Sequence, residues 1–192
     1  MIRIGFHLCA WGILPALVSL TVGGIDTLPD AAGYLAIACG ASLIRHLDGG
    51  FRAVLSASLV LMPLSLSQYF EADPSRWLGF IGPLQTLVAA GALAVAWQLA
   101  ASVRAASRRA MQAELAARAE MSRWAIVYLV AALLATAALS AAFEALATAA
   151  AIIVFALRFA LAAIVFTLLR SAGDILGEPP QDGLPVPAGD PA

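Results

Sequence analysis

Residues 145–169 read ALATAAAIIVFALRFALAAIVFTLL, an apolar run interrupted by one charge, Arg158. A helix of about 20 mostly apolar residues crosses the hydrocarbon core of a bilayer, so this run reads as a transmembrane span. The nearest ionisable neighbours along the chain are Glu144 and Arg170, roughly 21 Å and 18 Å away at the helical rise. A guanidinium keeps its proton in a protein, and an arginine at the centre of a span costs about 2.5–3.5 kcal/mol on insertion scales. Something must therefore meet Arg158. The alternatives are backbone carbonyls and water, an anionic ligand or lipid headgroup in a cavity, or an acidic residue on a partner subunit.

The rest of the chain agrees with a membrane class. It has 192 residues, 62% hydrophobic and 12% charged, against about 45–50% and about 25% for a soluble domain. Mean hydropathy is +0.91. Its length suits one compact bundle without a separate soluble domain. The net charge of −1 gives no reason to expect a nucleic-acid partner.

Six stretches are long and apolar enough to predict spans: residues 4–22, 29–47, 51–70, 77–100, 124–143 and 145–169. Charge tests this division. Arg3, Arg45, Arg52, Arg104, Arg108, Arg109, Arg118, Arg123 and Arg170 all fall on one side of a six-span zigzag. Arg76 falls on the other, with Asp26, Asp30, Glu71, Asp73 and Glu144. Basic residues mark the cytoplasmic face. The expected fold is all-α, a polytopic transmembrane helical bundle of about six spans with both termini in the cytoplasm. The bilayer involved would be the bacterial inner membrane. The apolar N-terminus fits a first span better than a cleavable leader, whose apolar core runs 7–15 residues.

Residues 92–172 contain neither glycine nor proline, so the turn between spans five and six is expected near 140–147, with Glu144 at its tip. Residues 102–123 are polar with helical ion-pair spacings, Glu114 with Arg118 and Glu120 with Arg123. They are expected to be a cytoplasmic helical linker extending spans four and five, with an amphipathic lipid-surface helix or a docking helix as alternatives. The bundle is expected over residues 1–172. Residues 173–192, rich in Pro, Gly and Asp, are expected to form a disordered cytoplasmic tail.

The most patterned stretch is residues 23–47, GGIDTLPDAAGYLAIACGASLIRHL. Asp26 or Thr27 suits a helix cap and Pro29 a first turn. Asp30 complements the helix dipole. Ala32, Ala36 and Gly40 form a small-residue stripe that permits close helix contact. Functionally, Asp26 and Asp30 would flank the outer mouth of a site. The run Ile25, Asp26, Leu28, Pro29, Asp30, Gly33, Tyr34 resembles a segment, I/F-D-x-L-P-D-x-x-G-Y, of small uncharacterised multi-span bacterial membrane proteins. The resemblance covers some 25 residues. It implies a polytopic bacterial membrane protein and no activity.

Few residues offer chemistry. Cys9 and Cys39 fall inside apolar spans without CxxC spacing and read as buried thiols. His7 and His46 fall at similar depth on adjacent spans, an arrangement that could hold a haem, but interfacial histidines bonded to carbonyls are commoner, and no cofactor or metal is expected. Ser56, Ser58, Ser65 and Ser67 surround Pro63 and can satisfy freed carbonyls; none has a base at a plausible depth. No catalytic motif occurs, and the reading leans away from an enzyme.

The first functional reading is therefore transport or capture of a small, anionic solute. Arg158 would face a cavity, with Gln85 nearby and Asp26 and Asp30 at the outer mouth. The alternative is a non-catalytic membrane subunit or scaffold, in which a partner subunit or a second copy supplies the counter-charge. A lipid-modifying enzyme comes last. The expected partners are the lipid bilayer, an anionic small molecule or lipid, and a partner membrane subunit or homo-oligomer.

Overall fold

The computed structural model describes residues 1–18, 21–22, 25–26, 30–66, 74–142 and 147–177. Among these the protein is all-α, with six helices: α1 Ile2–Leu17, α2 Asp30–Ile44, α3 Gly50–Leu66, α4 Pro74–Arg109, α5 Ala113–Ala142 and α6 Ala147–Leu176. A two-residue antiparallel bridge, β1 Thr21–Val22 with β2 Ile25–Asp26, lies between α1 and α2. The expected turn tip at Glu144 lies outside the described residues. Of the expected disordered tail 173–192, residues 173–176 instead continue α6, with Asp174 paired to Arg3, and those beyond Gly177 lie outside the described residues.

Each helix packs on its neighbours in the chain, α6 returns to α1, and α4 also touches α1 and α6. Specific contacts show the antiparallel alternation. Gly12 meets Gly33 and Gly40 meets Gly5. Gly91 lies against Leu61, and Gly50 against Ser102. Arg104 pairs with Glu120 at 2.8 Å. Trp11 and Phe166 stack edge-to-face at 5.3 Å.

The closest helix contact, α1 on α2, is made by two glycine pairs seven residues apart. A Cβ on Gly12 would come 2.6 Å from the Gly33 carbonyl oxygen, and one on Gly40 would come 2.5 Å from that of Gly5. Only hydrogen fits there, so the two backbones touch directly. Of the expected stripe of Ala32, Ala36 and Gly40, only Gly40 is shown in this seam. Ala32 is exposed, and the buried line runs through Gly33, Ile37, Gly40 and Ile44.

The arginine-rich end is tied by ion pairs that join different elements. Arg3 pairs with Asp174 at 3.0 Å and Arg109 with Asp48 at 2.8 Å. Asp48 also accepts the Gly50 N–H at 2.8 Å, which caps α3. Phe6 and Phe51, both fully buried, meet edge-to-face just inside this layer at 5.8 Å.

Residues 102–123 form a helical hairpin. The Gln112 N–H donates to the Ser107 carbonyl at 2.8 Å and the Met111 N–H to Arg108 at 3.2 Å. Met111 sits between them at φ 55. This is a Schellman turn with a left-handed residue where glycine is usual.

Among the described residues, three helices contain stretches long and apolar enough to cross a membrane: Thr86–Arg109, Ala113–Thr136 and Ile152–Leu176. The other three are apolar but shorter, with 16, 15 and 17 residues in α1, α2 and α3. That is about 22–26 Å of helix, less than the roughly 30 Å hydrocarbon core. The six expected spans are thus six helices of which three have full spanning length. α1 stops because Val18 turns to an extended conformation, φ −111 and ψ 91. α2 stops in the turn that delivers Asp48 to α3.

Candidate functional site

α6 presents one continuous buried face, through Leu161, Ala162, Val165, Leu169 and Ala172. These positions recur every three or four residues, and Arg158 is the next member of the same line. It is partly buried. Among the described residues it makes no hydrogen bond and no ion pair. The charge therefore lies on the packing side of its helix, not on the side carrying Ile152, Phe155 and Phe159, which are exposed.

Contacts along α1 fix its level. Gly173 lies against Phe6, and Trp11 meets Phe166. Extending that antiparallel register places Arg158 within about one turn beyond Leu17, where α1 ends. Asp30 reaches a similar level from the other side, because Gly33 packs against Gly12 and Pro15. α1 and α2 are short, so the first turn of α2 lies near the level of Arg158. The two residues are not neighbours, because α1 stands between α2 and α6, each of which packs against it. Asp30 is buried and has interactions of its own.

The remaining expected site residues are placed only by their backbone. Gln85 lies in α4 and Asp26 in β2, opposite Thr21; their side chains fall outside the described residues. Among the hydroxyls of the bundle, Thr136 donates to the Ala132 carbonyl at 2.7 Å. Ser58 is fully buried, and its hydroxyl has no hydrogen-bond partner among the described residues. Ser65 donates to Met62 at 2.8 Å, so it does not reach the Leu59 carbonyl that Pro63 leaves free.

Several expectations resolve into packing. In the patterned stretch, Gly33 admits the Gly12 carbonyl, and the Tyr34 hydroxyl donates to the Val88 carbonyl at 3.4 Å. Cys9 is buried, its thiol 3.6 Å from the Ile37 carbonyl oxygen, whereas Cys39 is exposed. His7 and His46 are not level. His7 falls between Gly5 and Cys9, the α1 residues that meet Gly40, while His46 is exposed in the turn after α2. His7 approaches Asp174 at 3.9 Å instead. No group of three or more His, Cys, Asp or Glu suited to a metal occurs among the described residues.

Asp48, which joins three elements, and the pair of Arg104 with Glu120 across the hairpin are not legible in the sequence. Neither has a local signal, since each partner is distant in sequence or belongs to another helix. Compared with protein-family models, with curated proteins and with solved structures, the chain matches none.

Proposed function

We propose that the protein is a multi-pass protein of the bacterial inner membrane that captures or carries a small anionic solute, with Arg158 as the cation of the site. The observation that carries this reading is a permanent charge on the packing face of α6, partly buried and without an ion pair or hydrogen bond among the described residues. Intramembrane ionisable residues of this kind face bundle interiors or wet cavities and mark substrate pathways. Six spans with both termini inside are supported by the antiparallel alternation of the six helices and by the gathering of nine of the eleven arginines at one end. Gln85 of α4 is proposed to line the site, with Asp26 and Asp30 at its outer mouth, Asp30 being separated from Arg158 by α1. No described group offers a nucleophile with a base, so the reading is a binding or transport role.

The test is ligand-induced thermal stabilisation in detergent, using inorganic phosphate and small carboxylates as probes. A ligand at a hundred times its Kd adds about 2.7 kcal/mol, or roughly 5–10 °C for a chain of this size. Arg158→Gln is expected to remove that shift. An identical shift in the variant would sink the site.

A second reading is favoured by the apolar outer faces of α5 and α6. Trp124, Val127, Tyr128, Leu134, Ile152 and Phe159 are all exposed. A membrane subunit docking there would pair with Arg158 only through a carboxylate that reaches around α6 to its packing face. In that case Arg158→Gln would abolish co-purification of the partner and leave anion stabilisation absent in both forms.

A further inference from the structure

Between α5 and α6, toward the arginine-rich end, lies a groove with a cavity volume of about 340 Å³. Its two ends differ in chemistry. Arg118, Ser122 and Ser171 form one end, and Ala125, Ile164 and Leu168 the other. Met121 and Thr167, both exposed, form the lips. The guanidinium of Arg118 is half-exposed and makes one ion pair, to Glu114 in its own helix. Most of its five N–H donors stay available. The Ser171 hydroxyl makes no hydrogen bond among the described residues, whereas Ser122 and Thr167 donate to carbonyls of their own helices at 2.9 Å.

The groove straddles a polarity boundary that both helices share. On α5 the charges end at Arg123 and an exposed aromatic pair, Trp124 and Tyr128, follows at 6.4 Å between rings. On α6 the boundary falls at Arg170, also exposed. Exposed Trp and Tyr beside a ring of arginines mark the headgroup level of a bilayer. Phosphate donors at one end, hydroxyls between, and an aliphatic wall at the other reproduce the order phosphate, glycerol ester, acyl chain. From Arg118 to Ala125 the groove is about 10 Å long, too short to seat a helix of a second copy along its length.

We propose that this groove binds one anionic glycerophospholipid, its phosphate on Arg118 and Ser171 and its first acyl carbons against Ala125, Ile164 and Leu168. The proposal rests on membrane embedding alone and not on the solute reading at Arg158, so the two fail independently.

The test titrates the purified full-length protein in detergent with phosphatidylglycerol and with phosphatidylcholine, reading bound lipid by native mass spectrometry. Phosphatidylglycerol is expected to bind about tenfold more tightly, because both lipids offer the same phosphate and only phosphatidylcholine brings a quaternary ammonium against Arg118. Arg118→Gln with Ser171→Ala is expected to erase the preference. Glu114→Gln is expected to strengthen it, since it frees Arg118 from its competing carboxylate, and a misfolded protein would not gain affinity. Arg108→Gln, exposed at the same end but outside the groove, is expected to leave it unchanged. Equal losses in the Arg108 and Arg118 variants would mean diffuse charge attraction and overturn the proposal. So would displacement of the lipid by millimolar inorganic phosphate, or loss of a dimer in the Arg118 variant without any change in lipid preference.

Discussion

Single atoms decide how α1 and α2 meet. Gly12 and Gly33 each point a hydrogen at the other's carbonyl, and a methyl group on Gly12 would lie 2.6 Å from that oxygen. Backbone cannot swing aside as the end of a flexible side chain does, so Gly12→Ala must separate the two helices. The expected cost is at least the roughly 1–3 kcal/mol typical of overpacking, measured as a lowered thermal midpoint in detergent. Gly49→Ala is the control, because nothing lies within 4 Å of its added Cβ, and its midpoint should match the parent. Equal behaviour of the two variants would mean that the seam is not close-packed. The seven-residue spacing of Gly5 with Gly12, and of Gly33 with Gly40, was visible in the sequence. Its meaning was not, because a glycine pair becomes a seam only when a second pair faces it.

At the scale of the element, the α4–α5 hairpin shows how a strong helical pattern hides a break. Residues 92–172 carry no glycine or proline, so no residue announces the turn after Arg109. The structure makes it with Met111 at φ 55, closed by the Gln112 to Ser107 and Met111 to Arg108 hydrogen bonds. A β-carbon in the left-handed region costs roughly 1–2 kcal/mol, and the hairpin is held against that cost by Arg104 with Glu120 and by Arg123 over the Trp97 ring at 4.3 Å. Met111→Gly removes the penalty while loosening the unfolded chain. It is expected to stabilise by about 1 kcal/mol, a rise of about 2–4 °C in thermal midpoint. A fall would indicate that the exposed Met111 side chain contributes packing that outweighs its strain.

At the scale of the whole molecule, the ion pairs bring the ends of α1 and α6, the α2–α3 turn and the α4–α5 hairpin to one face. The arginine bias makes that face the expected cytoplasmic one. With Cys9 and Cys39 replaced by alanine, Met111→Cys is expected to react with a membrane-impermeant maleimide only after cells are permeabilised. Glu144→Cys is expected to react from outside in intact cells. Labelling of both from one side would overturn the six-span order. What the sequence determined by itself was the class of the protein, its helices and the division of its charges. Apolar run length, helical periodicity and arginine bias are properties of consecutive residues, legible without any fold. What only the tertiary structure decided was which side of α6 carries Arg158, that Asp30 shares its level, and that three of the helices stop short of a full span. Those facts depend on the register between helices, set by the glycine seam and the interhelical ion pairs, whose partners lie far apart along the chain.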